Sequence, residues 1–480
     1  MIFYLFFATI VGFTLAIPFY RKMGGSRLGS RNFWETPGDF WEPQSDLRPE
    51  HNLRLKGGGL VEDSDIPDAI KECISKRSLA VVEFDDSGDY LSKFQRDYAG
   101  TIVNEGRETK TVYIYVHGWN HSGDPSRETG DLAKFAAYVR GLNRNKTGSN
   151  HKNIGVYIGW PGDAREGKLG NILSFPGRRA ATDRIASPSL ADCLGYIRRF
   201  AVKGHKKVVL IGHSMGGRIV ERLATPVVQN YYHFRRLNPD PALENPRNML
   251  LADTTILINA ASEGLQARKL KLATHQWPYF EPPGLISVTS ESDDSTDITW
   301  YWGKYLEEKL LPTVSSQLRQ YSLGGELGME SVRHYISCTA GHDKRLLIGR
   351  IRPDETILDG IHIDTENLGG FPVNRGLFRP RRTEEAGEHR VASGGYLVFR
   401  AAHQILDGHN GRGTDKERGE KLDLEKSIFN SSMASLIEFF SADTDTHGGK
   451  TGNQFSAIRR KHDLDADYDY IRDRWSEYKK

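Results

Sequence analysis

Short apolar runs, many of them rich in β-branched residues, recur along the middle of the chain, and several are separated by segments with helical spacing. Apolar runs without polar alternation are typical of strands buried on both faces of a sheet. They predict strands at 78–84, 111–116, 153–159, 208–211, 254–258, 285–289 and 396–402. Helical spacing predicts helices at 132–142, 188–202, 300–311 and 424–440, and one that begins near 218. This alternation predicts an α/β fold with a mostly parallel sheet covered by helices on both faces.

An uncharged and mostly apolar run occupies residues 1–20 and is long enough to cross a bilayer as a helix. No basic residue precedes it, and four follow it up to Arg31. This charge distribution predicts a single-pass signal anchor with the main domain on the cytoplasmic side of the membrane. The alternative is a signal peptide cut after Ala16, which would make the protein secreted or periplasmic.

The remaining chain divides by composition into a linker, a domain and a tail. Residues 21–60 are rich in glycine, proline and charge and predict the linker, and 441–480 form a charged tail. The domain at 61–440 contains insertions that are too long for simple connections, at 225–251, 265–284 and 312–394. The first two insertions carry aromatic residues, and we expect them to form a cap over the site described next.

Composition adds little to the predicted fold and domain organisation. The net charge of the 480-residue chain is +3, which gives no reason to expect a nucleic-acid partner. Its three cysteines are far apart in sequence and predict neither a disulfide framework nor a zinc site. No metal or cofactor is expected.

The chemistry of the chain is concentrated in the motif Gly-His-Ser-Met-Gly at 212–216. A predicted strand precedes this Gly-x-Ser-x-Gly motif and a predicted helix follows it, which is the setting of a nucleophile elbow. Such a turn holds the serine in a strained backbone conformation, and we expect the Ser214 hydroxyl to be exposed. Gly212 and Gly216 are small because the strand and the helix nearly collide there.

A serine hydroxyl needs a base to accept its proton, and the base needs a carboxylate to orient it. With an elbow in a parallel sheet, these groups follow in the order serine, acid, histidine. Asp293 lies beyond the strand at 285–289, and His409 lies beyond the last strand in a turn between glycine and asparagine. The alternatives are Asp294, Asp297 and Glu263 for the acid, and His403, His334 and His342 for the base.

The negative oxygen that forms during acyl transfer needs two backbone N–H donors. One donor is the residue after the nucleophile, Met215. The other comes from the loop after the strand at 111–116, where Trp119 is the candidate. His117 is expected to orient this loop.

Taken together, these stretches resemble the α/β-hydrolases, and in particular a group of poorly characterised serine hydrolases with a His-Gly-Trp oxyanion loop. The matching stretches are 82–88, Tyr-Val-His-Gly-Trp-Asn-His at 115–121, 155–162, Gly-His-Ser-Met-Gly-Gly at 212–217, Ser-Val-Thr-Ser-Glu-Ser-Asp at 287–293 and Ile-Leu-Asp-Gly-His-Asn at 405–410. The resemblance implies the α/β-hydrolase fold and hydrolysis of an ester-like bond. It also implies that Asp293, which closes the Ser-Glu-x-Asp stretch, is the acid, and that His409 is the base.

The sequence therefore predicts a membrane-anchored serine hydrolase, an esterase or lipase-like enzyme that acts on a small-molecule or lipid ester through an acyl-enzyme. Two alternatives stay open at this stage. One is a membrane-tethered binding module that has the hydrolase fold but no activity. The other is an acyltransferase that delivers the acyl group to an acceptor other than water.

Overall fold

The fold is described from a computed structural model of the chain. The described residues are 66–106, 109–119, 121–123, 125, 130–144, 152–162, 168–237, 249–274, 284–296, 300, 338–343, 346–347, 349–354, 360–364, 396–410 and 427–442. All of them belong to one unit of the chain, Pro43–Lys480.

Nine strands of the described part form one sheet, in the order β1-β3-β2-β4-β5-β6-β9-β7-β8. They are β1 (Leu79–Glu83), β2 (Thr109–Val116), β3 (Lys152–Gly159), β4 (Lys207–His213), β5 (Thr254–Ile258), β6 (Leu285–Ser290), β7 (Gly349–Asp354), β8 (Gly360–Asp364) and β9 (Tyr396–Ala401). Every pairing is parallel except that of β7 with β8, which is antiparallel. The predicted α/β fold with a mostly parallel sheet is therefore confirmed.

The α-helices of the described part are α1 (Asp68–Ser75), α2 (Lys93–Glu105), α3 (Asp131–Arg144), α4 (Lys168–Ile185), α5 (Pro188–Lys203), α6 (Met215–Leu237), α7 (Gly264–Ala273) and α8 (Ser431–Ala442). The start of α5 is as predicted. The Ser187 side chain accepts a hydrogen bond from the backbone N–H of Leu190, and Pro188 occupies the first turn, where its missing N–H costs nothing. Helices α1, α2, α4 and α7 were not predicted.

The sheet separates two apolar layers, and alternate residues of its strands contribute to each. On β2, Val112 and Ile114 belong to the layer that includes α2, α5 and α6. Tyr113 and Tyr115 belong to the opposite layer, with α1, α3 and α8. Burial on both faces explains why the strands read as continuous apolar runs in the sequence.

The structure corrects the predicted insertions. Helix α6 continues without a break to Leu237, and its Tyr231 and Tyr232 pack in the core, so 225–237 is not part of a cap. The first nine residues of the second insertion belong to α7, whose buried Leu265 and Leu270 cover the sheet. The third insertion contributes β7 and β8 to the sheet. Leu250 and Leu251, at the end of the first insertion, are also buried in the core. The stretches 238–248 and 275–283 of the predicted cap lie outside the described residues.

The terminal predictions also lie outside the described residues. This applies to the membrane segment at 1–20, to the linker at 21–60 and to the tail, apart from its first two residues. Of the helix predicted at 300–311, only Trp300 is described. Within the described ranges, no helix combines the length and the apolar character needed to span a bilayer.

Candidate active site

The predicted site residues all follow the carboxyl ends of parallel strands. Gly118 and Trp119 follow β2, Ser214 follows β4, Asp293 follows β6 and His409 lies beyond β9. Since these strands run in the same direction, their carboxyl ends share one edge of the sheet, which is where ligands bind in open α/β sheets.

Ser214 sits in the sharp turn that the motif predicted. Its φ is +53°, a left-handed value that is unfavourable for a residue with a side chain. A Cβ on Gly216 would lie 2.2 Å from the carbonyl oxygen of Val116, and one on Gly212 would lie 2.8 Å from the Cα of Gly217. Both contacts are with backbone atoms that cannot move aside, so the two motif glycines are required by space.

The exposure of Ser214 differs from the expectation. The residue is only 4% exposed, whereas the turn was expected to present its hydroxyl to solvent. A Cβ on Gly118 would lie 2.9 Å from the Cβ of Ser214, which shows how closely the loop after β2 approaches it. The His409 ring contacts the hydroxyl directly. Packing from these two loops therefore covers the serine.

His409 joins the serine to the acid. Its Nε2 lies 2.7 Å from Ser214 Oγ, and its Nδ1 lies 3.0 and 3.1 Å from the two carboxylate oxygens of Asp293. Because Nδ1 faces a carboxylate, it carries the ring proton and donates it. This tautomer leaves the lone pair of Nε2 directed at the serine hydroxyl. The structure thus brings Ser214, Asp293 and His409 into one hydrogen-bonded chain.

Several donors hold the carboxylate of Asp293, whose side chain is fully buried. The backbone N–H groups of Ser295 and Thr296 donate to Oδ1 over 3.0 and 3.1 Å, and the Thr296 hydroxyl donates to Oδ2 over 2.5 Å. Burial alone would raise the pKa of Asp293, but the charge of His409 and these hydrogen bonds outweigh it and lower the pKa to about 2. The acid is therefore ionised at neutral pH.

The other acids considered from sequence have different surroundings. Asp294 is exposed to solvent. Glu263 is bound to two arginines, with one oxygen 2.7 Å from Arg218 and the other paired with Arg179. Asp297 lies outside the described residues. Neither described alternative contacts the base in the way that Asp293 does.

Two of the rival histidines, His403 and His342, lie in the described part of the chain, and their surroundings differ from those of His409. His403 is exposed on the segment after β9, and His334 lies outside the described residues. His342 contacts a donor to the acid, with its Nε2 3.1 Å from Thr296 Oγ1. Because the Thr296 hydroxyl donates to Asp293, it accepts from His342, which places a proton on that Nε2. Sequence reasoning gave no signal for this contact.

His117 fixes the loop that carries Trp119, as expected. Its Nε2 accepts the backbone N–H of Trp160 over 2.9 Å, so its proton is on Nδ1, which donates to the Gly118 carbonyl over 2.7 Å. The His117 imidazole stacks on the Trp160 indole with centroids 5.3 Å apart. The indole N–H of Trp160 donates to the His117 carbonyl over 2.8 Å. The loop therefore reaches Ser214 in a defined conformation.

Of the two predicted oxyanion donors, Met215 follows the serine directly, and Trp119 belongs to the loop after β2 that approaches it. Met215 is the first residue of α6, so its N–H has no carbonyl four residues earlier within the helix. Trp119 is partly buried against the core and follows Gly118, whose contact with Ser214 is described above. A helix N-terminus also favours negative charge at this point.

Two further side chains contact the backbone of His409, namely His213 and Asn259. Sequence reasoning assigned neither of them a role, because such contacts depend on which loops meet in the fold.

Within the described ranges, no group of three or more histidine, cysteine, aspartate or glutamate residues is placed to hold a metal ion.

Comparison with known proteins gives this site no family. No family model matches the chain, and a search of curated proteins found no match. The geometry around Ser214 is therefore the basis for assigning a function.

Proposed function

We propose that the protein is a serine hydrolase of the α/β-hydrolase fold that cleaves a carboxylic ester. Ser214 attacks the ester carbonyl, and His409 accepts the serine proton and then delivers it to the leaving alcohol. Asp293 holds the imidazole in the required tautomer and stabilises its charged form. Water, activated by His409, then releases the acid from the acyl-enzyme.

The observation that carries this proposal is the bridging position of His409. Its two ring nitrogens lie at hydrogen-bond distance from a serine hydroxyl on one side and from an ionised, fully buried carboxylate on the other. The proton positions needed for base catalysis follow from these contacts. The three groups also follow in the chain order serine, acid, histidine, which is the order of a triad in this fold.

The surroundings of Ser214 support stabilisation of an oxyanion. The N–H of Met215 and the N–H of Trp119 are assigned as its donors, and the start of α6 adds a favourable dipole. The His117–Trp160 contact keeps the second donor in place before substrate arrives, so that no reorganisation is needed during the reaction.

Membrane attachment remains a proposal from the sequence. The uncharged segment at 1–20 would anchor the domain on the cytoplasmic side, and a lipid-derived ester is then a sensible substrate. We expect the protein to sediment with membranes and to resist carbonate extraction. Recovery of a soluble form beginning near Ile17 would show instead that a signal peptide is removed.

The activity is tested with a fluorophosphonate probe, which reacts with activated serines. The parent protein should label once, and Ser214→Ala should not label. Ser75→Ala is the matched control, because Ser75 is an exposed serine at the end of α1, and it should label like the parent. Equal labelling of Ser214→Ala and the parent would refute the proposal and favour a non-catalytic binding module. A panel of esters of increasing acyl length would then define the substrate class.

A further inference from the structure

We propose that Asn259, together with His213, is a positioning residue that holds the backbone of the base His409. The proposal rests on the function assigned above. The Asn259 amide donates through Nδ2 to two consecutive carbonyl oxygens, that of Gly408 over 3.0 Å and that of His409 over 2.8 Å. Its Oδ1 accepts the backbone N–H of Ser290 over 2.8 Å. One side chain thus connects the histidine turn with the last residue of β6.

Asn259 is itself held rigidly. It follows β5 directly, is 0% exposed and has a φ of +46°. Asparagine tolerates this left-handed conformation better than most residues with side chains. Its backbone N–H donates to the Val288 carbonyl over 2.9 Å, so both its main chain and its side chain are bound to β6. The amide therefore has a fixed position relative to the strand that leads to Asp293.

His213 forms a second hydrogen bond with the His409 carbonyl. It is the last residue of β4, directly before Ser214, and its Nε2 lies 2.9 Å from the His409 carbonyl oxygen. Burial, together with repulsion from the charge of His409, lowers the pKa of His213 to about 3, so its ring is neutral at ordinary pH. Because the contact is with a carbonyl, Nε2 carries the proton.

The His409 carbonyl consequently accepts two hydrogen bonds, which is the full capacity of its oxygen. One donor belongs to the strand of the nucleophile, and the other is bound to the strand of the acid. His409 itself is in a turn eight residues after the end of β9, and the preceding Gly408 has a φ of +61°. The strand therefore does not fix its position, whereas the two donors fix it relative to both reaction partners.

The distance from His409 Nε2 to Ser214 Oγ is sensitive to the position of this backbone. A displacement of about 1 Å in a catalytic constellation lowers turnover by about 100-fold. We expect the loss to appear in kcat, because the residues contact the base and not the substrate.

Two substitutions test the asparagine. Asn259→Asp keeps the shape and the acceptor for Ser290 but replaces the donor by an oxygen that faces two carbonyls. Asn259→Gly removes the side chain while allowing the left-handed backbone conformation. Both should lower kcat for an ester about 10- to 100-fold with KM changed less than about 3-fold. The matched control is Asn143→Asp, because Asn143 also holds backbone groups, those of Asn153, but far from the site.

A pair of substitutions at His213 keeps the test decisive if the Asn259 variants do not fold, which thermal unfolding would show. The amide nitrogen of glutamine can take the place of Nε2, whereas that of the shorter asparagine cannot. His213→Gln should therefore retain most of kcat, and His213→Asn should lose it about as the Asn259 variants do.

The outcomes separate this inference from the proposed function. A parent protein that neither labels at Ser214 nor cleaves any ester would remove the function itself. An active parent whose folded Asn259 variants keep the parent kcat, or whose two His213 variants have equal kcat, would overturn the positioning role alone. A change in KM without a change in kcat would also overturn it.

Discussion

Glu221 is a carboxyl group that the folded protein surrounds completely. It lies on α6, seven residues after Ser214, and is 0% exposed. The hydroxyl of Tyr396 donates to it over 3.0 Å, and the hydroxyl of Ser262 donates to its other oxygen. Burial raises the pKa of Glu221 from its ordinary value of 4.5 to about 7, even though both hydrogen bonds act to lower it.

This difference makes the stability of the protein depend on pH in a defined window. A carboxyl group with a raised pKa binds more protons in the folded than in the unfolded chain, so stability falls as pH rises. The contribution of Glu221 is complete below pH 4.5 and is lost once the pH exceeds about 7. At about 1.4 kcal/mol per pH unit, the loss amounts to about 3 kcal/mol.

Glu221→Gln cannot ionise and so should escape the loss. Relative to the parent, its free energy of unfolding should rise by about 3 kcal/mol between pH 4.5 and pH 8. Urea unfolding of the full-length protein, followed by tryptophan fluorescence, measures this difference, and titration of all other groups cancels in it. Tyr396→Phe removes a donor that favours the ionised form and should enlarge the loss at pH 8. An equal difference between Glu221→Gln and the parent at both pH values would refute the reasoning.

Three other predictions concern the site. Asp293→Asn should lower kcat for ester hydrolysis by about 10⁴-fold, because it favours the wrong tautomer of the base. Asp294 is exposed, so Asp294→Asn should change kcat little. The reverse ranking would show that Asp294 is the acid. Thr296→Val removes a donor to a buried carboxylate and should cost about 1.5–3 kcal/mol in urea unfolding, whereas Thr296→Ser should cost clearly less. Gly216→Ala should lower the thermal unfolding temperature, because its Cβ would meet the Val116 carbonyl. Gly141→Ala should raise that temperature, because outside the backbone of its own helix no atom lies within 4 Å of the added Cβ, and alanine favours a helix. Equal shifts for the two variants would contradict the steric argument.

Sequence pattern was most informative where a single physical requirement acts over a short stretch. The strand at 208–211 had to be apolar because both faces of the sheet are covered, and the turn at Ser214 had to be flanked by glycines because backbone atoms occupy the space. Both requirements are local, so they appear directly in the residue types. They were sufficient to predict the sheet and the serine.

Helix lengths were predicted less well, because tertiary packing overrides local signals. A proline normally ends a helix, yet α6 continues past Pro226. The buried Val228 and Tyr231 fix the second half of this helix against the core. Helix α4 contains Pro176 and Gly177, and buried Ala181 and Ile185 hold its last turns in the same way. No pattern within either segment reveals these contacts.

The residues that support the site could not be predicted from the sequence, for a related reason. Thr296 and Asn259 matter through contacts with segments far away in the chain, and many threonines and asparagines make no such contacts. Thr296 is joined to His342, and Asn259 is joined to a turn about 150 residues later. Only the folded structure distinguishes these two residues from the other threonines and asparagines of the chain.

The sheet places the reacting groups far apart in chain order, and this has a consequence for folding. Ser214 and His409 are 195 residues apart, and the strand that leads to the histidine pairs with β6 on one side and β7 on the other. Contacts between such distant segments form late, because closing a long loop is entropically costly. Helical structure and the central strands can therefore be present while the serine is still unreactive. During refolding, probe labelling of Ser214 should lag behind the far-ultraviolet circular dichroism signal, which makes the reactivity of one hydroxyl a measure of when the whole sheet is complete.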